Sequence, residues 1–546
     1  MRRTALLLFA AALFAADFAA EGDLWWAHIQ YLADDKLQGR EVGSDGYREA
    51  AKYVAGKMET FGLKPAGTDG YLQPVKFETR EIEQDQSSLT IVRDGIEIEL
   101  ERGDATLNAR ADLAPRLEAP MVFAGYGLRI PEANYDELEG LNVRGKIVVY
   151  VNAPGPVDAP GPVKSHFGSA VERWNTLKAA GAIGSASIMN PRAPVGANPQ
   201  ATDGADDASG RGRGGQGGER AGGGGRGPQR AFLLADPNLQ EATGQRLALT
   251  ITRRGGEKFF EGSGYTFEEI LKLAQENRAL PKFPLTGVLR SKVAVRRDTV
   301  VAPNVAGLLP GSDPRLKNEY IVMSAHLDHL GVGRAVNGDN IYNGAMDDAS
   351  GIASILEIAR LLKESGATPK RSIVFLAVAA EEKGELGSRY FAMHPTVDKK
   401  QIVADINLDM FMPLFPLKFL EVQGLAESTL GDAIREAAKA AGVEVQADKE
   451  PEQNRFIRSD QYSFIRNGVP SLAFKFGYEF GTPEDKIFHD WIRDRYHKPT
   501  DDLTQPVDKA AAAQFNHIIA NLLQKVADEP ARPRWKDASF FRRFAN

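Results

Sequence analysis

The chain has 546 residues, a formal net charge of -6 and a pI near 5.9; 43% of its residues are hydrophobic and 26% charged. That length exceeds one ordinary domain, so two or three are expected, and no basic surplus supports a nucleic-acid partner. There is no cysteine, which excludes disulfides, thiolate metal sites and a cysteine nucleophile.

The first residues, "MRRTALLLFAAALFAADFAA", place two arginines before an apolar stretch and then small residues. This is the pattern of a signal peptide over residues 1–20, although Phe18 at the minus-three position fits the small-residue rule poorly. An uncleaved anchor is the other reading; the stretch is short for a membrane span. No later segment reads as transmembrane, so an exported protein (periplasmic or secreted) without a stable membrane partner is expected.

From Asp23 to about Leu72 the pattern is helical and amphipathic: two helices joined by a Gly/Ser/Asp turn, the second stopped by Gly62 and Pro65. Residues from Pro74 to about Asp112 alternate apolar and polar, as strands do. Around Pro120 the character changes to short runs bounded by glycine, "MVFAGYGL" and "GKIVVYVNAPG", then a helix and a further strand in "AVERWNTLKAAGAIGSASIMN". This predicts a smaller α/β module over 116–285, inserted between a first part of the main domain, 21–115, and its bulk, 286–530, with a tail at 531–546. Within it, residues 204–230 are rich in glycine and arginine. With almost nothing apolar to bury, this tract is expected to be a disordered surface loop rather than a nucleic-acid tract, and no site is placed on it.

After Val300 strand and helix alternate. "YIVMSA", "SIVFLAVAA", "QIVADINLD" and "PSLAFKF" are apolar, β-branched runs, and "GIASILEIARLLKES" is an amphipathic helix with Ile352, Ile355, Leu356 and Leu362 on one face. The expectation is an α/β fold with a mostly parallel central sheet flanked by helices.

Three of these strands end in residues able to bind metal: His326 followed by Asp328, the pair Glu381 and Glu382, and Asp409. Ligands in open α/β sheets sit beyond the carboxyl ends of strands, so these side chains should converge. Asp347 and Asp348 stand in a loop just before the helix, and His497 stands near the chain's end with Asp501 following. Singly, each has a dull explanation: a helix cap, a solvated turn, a chance pair. His28, His166, His329, His394, His489 and His517 are read as ordinary core or surface residues. Together, two histidines and three carboxylates suit a pair of divalent ions. Asp328 is expected to accept the other ring proton of His326, and Asp501 to do the same for His497. Of the adjacent glutamates, one would join a metal and the other stay free to take a proton.

His326-Leu327-Asp328, "GAMDDASG", "AAEEKGELGS", "NLDM" and "YHKPTDD" together resemble the co-catalytic dizinc aminopeptidase family of metallopeptidases, the bacterial leucyl-aminopeptidase type. The opening "YLADDKLQGREVGSDGYREAAKYVAGKMETFGLKP" resembles its N-terminal helices. "VFAGYGL" and "GLNVRGKIVVYV" more weakly resemble a protease-associated domain. The resemblance implies two Zn2+ ions per chain, with Asp347 bridging, His326 and Asp409 completing one ion, and Glu382 and His497 the other. It implies Glu381 as general base and Tyr496 as an oxyanion-stabilising residue, whose alternative use is packing beside His497. "RSDQYSF" is similar to a pocket-lining segment of relatives, but Gln461 stands where they often carry histidine, so Ser459 and Asp460 are left out of the site. Peptide or protein substrates are implied. A non-catalytic receptor-like relative, a single-metal glutaminyl cyclase and a carboxypeptidase or dipeptidase remain alternatives, and the oligomeric state is open.

Overall fold

The structure, a computed structural model, describes residues 17–191 and 230–545. Of the expected signal peptide, residues 1–16 lie outside the described residues, as does the 204–230 tract apart from Arg230. No helix among the described residues is long and apolar enough to cross a membrane.

Two helices open the fold where the amphipathic pattern predicts them. Helix α1 is Phe18–Leu32 and α2 is Asp45–Thr60; Ser44 caps the second by accepting from the amide of Tyr47 at 3.0 Å. Gly62, just past α2, takes a left-handed φ of 72°, the conformation that ends a helix. Trp25, Ile29, Tyr47 and Val54 sink into the main core.

That core surrounds a ten-stranded sheet. Its longer strands are β1 Leu72–Ile82, β2 Ala231–Leu234, β3 Val295–Leu309, β4 Tyr320–His326, β5 Ser372–Val378, β6 Ile402–Asn407, β7 Phe419–Gln423, β8 Glu444–Ala447 and β9 Ser471–Gly477, and the two-residue strand Lys64–Pro65 pairs with β3. The spatial order is β2-β1-β3-β5-β4-β6-β9-β7-β8. Helix α3, Ser350–Glu364, and helix α4, Lys509–Asp528, pack against one another and against α1.

The expectation of a mostly parallel sheet needs correction. Parallel pairing holds for the central β5-β4-β6-β9 block and for β7-β8, while β2, β1 and β3 join antiparallel on one side and β7 joins β9 antiparallel on the other. The fold is mixed α/β. The cause is visible in burial: β4, β5, β6 and β9 are buried along almost their whole length, as two-sided coverage by helices requires, whereas the first half of β3 is exposed.

A second, eight-stranded sheet carries its own core, running from Ile82 to Val293. It includes Ser88–Arg93, Ile96–Leu100 and Ala105–Leu107, which precede the expected boundary at 116, and it closes with Lys282–Lys292, beyond 285. Strand β2, although inside the expected insert, pairs with β1 of the main sheet.

One buried cation ties the N-terminal helices to the sheet's working end. Arg40 is fully buried and donates to the carbonyls of Leu32, Leu327, Asn343 and Gly344 at 2.5 to 3.0 Å. Burial lowers its pKa to about 10, against the pull of Asp501 and Asp328. Replacing it by methionine leaves those carbonyls without donors. Arg40→Met is therefore expected to lower stability by about 3 kcal/mol or more, at about 1–3 kcal/mol per orphaned buried group, read as a shift of the urea midpoint at unchanged slope.

Candidate metal centre

Because β4, β5 and β6 run parallel, their carboxyl ends lie on one edge of the sheet. His326 is the last residue of β4. Past β5, Ala380 adopts a left-handed φ of 59°, which ends the strand geometry just before Glu381 and Glu382. Past β6 comes Asp409, followed by Met410 with φ of 51°. The turn before α3 delivers Asp347 and Asp348, joined by a cis peptide bond, and the loop after the helix Pro483–Asp494 delivers His497, itself at φ 54°. Non-glycine residues in this region cluster where surrounding structure over-determines the backbone.

The structure brings the five expected ligands together around Asp347. One of its oxygens, Oδ1, is 3.0 Å from His326 Nε2; the other, Oδ2, is 3.0 Å from His497 Nε2. His326 Nε2 is 3.6 Å from Asp409 Oδ1, and His497 Nε2 is 3.4 Å from Glu382 Oε2. These are close approaches without hydrogen-bond geometry: His326 Nε2, Asp347 Oδ2 and Glu382 Oε1 are buried with no hydrogen-bond partner. Orphaned donors and acceptors at such spacing fit metal ions held between them. Ligand bonds of about 2.0–2.2 Å at tetrahedral angles put donor atoms roughly 3.3 Å apart. Asp347 and Asp348 now separate. Asp348 accepts from the amides of Gly351 at 3.0 Å and of His326 and Met410 at 3.3 Å, while Asp347 faces the two imidazoles.

The charges are strongly coupled to this arrangement. Burial opposes ionisation of Asp347, but His326 and His497 outweigh it and hold the carboxyl well below its usual range. Burial also disfavours the charged His326, yet Asp347 and Asp409 raise it well above the usual imidazole range. Glu381 behaves oppositely to its neighbour. Burial, with Asp409, Asp460 and Glu382 adding to it, lifts Glu381 well above the carboxylate range, whereas His497 and His329 hold Glu382 low against its own burial. Adjacent carboxyls with divergent proton affinities are what a division between ligand and proton carrier requires.

Two expectations change. The ring Nδ1 of His326 lies 3.1 Å from the main-chain oxygen of Asp328, not its carboxylate; the Asp328 carboxylate instead accepts from the amide of Glu381 at 3.1 Å. Asp328 thus fixes both His326 and Glu381, through different atoms. His329, read from sequence as an ordinary residue, is fully buried with Nδ1 2.7 Å from Glu382 Oε1 and 3.9 Å from Asp347 Oδ2. Its position three residues after His326 was the available signal. Asp501 accepts from the amides of Met346 at 2.9 Å and Asp347 at 3.1 Å, fixing the loop beneath the shared carboxylate. Tyr496 stacks on His497, ring centroids 3.9 Å apart.

Residues 304–523 match Peptidase family M28. Over 195 residues the chain is 26% identical to leupeptin-inactivating enzyme 1 of Streptomyces exfoliatus, covering 33% of this chain and 40% of that protein. Over 182 residues it is 31% identical to probable leucine aminopeptidase 2 of Aspergillus oryzae, covering 32% and 34% respectively. The matches thus span well under two thirds of either relative's own length. In fold the chain is similar to an aminopeptidase from Aneurinibacillus sp. strain AM-1, with a TM-score of 0.52 at 19% identity over 94% of this chain and 95% of that one. The segment that matches peptidase family M28, residues 304–523, is the one that holds His326, Asp347, Glu382, Asp409 and His497.

Proposed function

We propose that the protein is an exported zinc-dependent exopeptidase, an aminopeptidase in type, that holds two metal ions and hydrolyses the first peptide bond of peptide or protein substrates. The observation that carries this reading is the Asp347 carboxylate with one imidazole nitrogen 3.0 Å from each of its oxygens. In this reading His326, Asp409 and Asp347 hold one ion, and Asp347, Glu382 and His497 the other. When bound, the ions supply Lewis-acid polarisation of a carbonyl and acidification of water. The chain's own residues supply the rest. Glu381, set at the crevice by the Asp328 carboxylate on its amide, accepts the proton of the attacking water. It then returns that proton to the leaving amine. In this reading Tyr496, which stacks on His497, donates to the developing oxyanion. The names of the relatives, a leucine aminopeptidase and a leupeptin-inactivating enzyme, agree with this reading. Export rests on the leader-like residues 1–20, and the smaller sheet is read as a protease-associated module.

Glu381→Gln keeps the shape and removes the proton carrier. Turnover is expected to fall by about two to four orders of magnitude while metal content stays unchanged; retained turnover would remove Glu381 from the reaction. Asp347→Asn weakens both loci together, so metal analysis of the purified variant should fall from two equivalents toward none, where loss of a single equivalent would contradict a shared ligand. Chelation should abolish hydrolysis and zinc restore it. Peptides with a free N-terminus should be cleaved and N-blocked ones not; equal cleavage of both would overturn the aminopeptidase assignment.

A further inference from the structure

Next to the metal centre a cavity of about 90 Å³ opens, lined by Asp347, Glu381 and His497 of the centre and by Arg455, Arg458 and Lys475. Three cationic side chains are a conspicuous lining for a pocket that would hold a residue beside the scissile bond. Lys475 is the informative one. It stands near the carboxyl end of β9, the strand next to β6, and is 8% exposed. Its ammonium lies over the Phe488 ring, 4.7 Å from the centroid. Among the described residues it makes no hydrogen bond and no ion pair.

The charged groups around it do not resolve this. Glu421 is its direct cross-strand partner on β7, but the two do not close into an ion pair, and Glu421 Oε1 is buried without a partner. Glu450 is taken by Arg455 at 2.7 Å and by His489 at 3.3 Å, and Asp448 lies 3.9 Å from Arg455. An ammonium removed from water without a compensating bond costs several kcal/mol unless it loses its proton. Burial, with Arg455 beside it, accordingly lowers Lys475 to about 7. The cavity that Lys475 lines also reaches Asp347, Glu381 and His497, so an anion entering beside the centre would meet the ammonium.

We propose that Lys475, with Arg458 on the same wall, receives a carboxylate of the substrate, so that the enzyme selects terminal residues presenting a carboxylate beside the scissile bond. This rests on the hydrolase reading given above. Two sources share the chemistry: the acidic side chain of an N-terminal aspartyl or glutamyl residue, and the free α-carboxylate of a short peptide. Either gives the ammonium a charge-assisted bond in a desolvated pocket, where such bonds are strongest. A neutral amide of the same shape leaves the ammonium unpaired and is rejected.

The test uses the zinc-loaded full chain and isosteric pairs. Glutamyl against glutaminyl anilide probes the side-chain source; dipeptides with a free N-terminus and free against amidated C-termini probe the other. In one pair the carboxylate member should be favoured in kcat/KM by about 10- to 100-fold, the worth of a hydrogen bond to a charged group. The preferred pair identifies the source. Lys475→Met should bring the ratio near one, Lys475→Arg should keep it, and Arg458→Gln, at a partly exposed position, should lower it. Calorimetry supplies a readout independent of turnover. L-glutamate should bind more tightly than L-glutamine, or an N-blocked amino acid more tightly than its amide, with the preference lost in Lys475→Met. Ratios near one in both pairs, or a ratio unchanged in Lys475→Met and Arg458→Gln, overturn the proposal. Should no substrate be cleaved, the hydrolase reading has failed, and the calorimetric preference alone decides: its presence supports the carboxylate pocket and its absence overturns it.

Discussion

The structure depends on one buried carboxylate shared between two imidazoles. Removing Asp347 from water is expensive unless its oxygens are met, and the imidazoles of His326 and His497 face them from segments more than 150 positions apart in the chain. Much of the surrounding architecture keeps that oxygen pair in register. Asp501 grips the amides of Met346 and Asp347 from one side. Arg40, reaching in from the turn between α1 and α2, holds the carbonyls of Asn343 and Gly344 from the other. Without these, the turn before α3 would be a mobile surface connection of the kind loops usually are.

Around that point the crevice collects Asp347, Asp348, Glu381, Glu382 and Asp409 against His326, His329 and His497. The acidic surplus is not spread evenly. Asp348 and Asp328 are spent on main-chain amides, which leaves Asp347, Glu382 and Asp409 facing the imidazoles. Asp347 and Glu382, beside imidazoles, are held ionised, and Glu381, buried and set against Asp409, Asp460 and Glu382, is driven toward its neutral form. A pair of divalent cations would balance this set, and the electrostatics of the bare polypeptide already lean that way.

Much of the centre was legible in the sequence because strand-end residues announce themselves. An apolar, β-branched run that stops at His326, at Glu381 or at Asp409 fixes both the element and the edge its last residue occupies. Directional detail was not legible. Whether Asp328 meets His326 through its carboxylate or its carbonyl depends on how the chain turns after β4, and spacing does not encode that. His329 was passed over because a single buried histidine looks the same in sequence whether it packs or sits beside a ligand. The antiparallel flanks of the main sheet and the membership of Ser88–Leu107 in the second sheet were invisible for another reason: their partners lie far away in the chain. Lys475 reads as a strand lysine, and its missing partner shows only once β7 and β9 are side by side.

The pairing of β2 with β1 has a wider meaning for how this chain is put together. The polypeptide leaves the main sheet after β1, builds six of the eight strands of the second sheet, returns to lay down β2, departs again, and comes back for good at β3. The smaller unit is therefore laced into its host rather than hung from it by a single pair of hinges. Excising it as a cassette would strip an edge strand from the larger sheet and bare the backbone of β1. Any cut between β1 and β3 therefore touches both sheets at once.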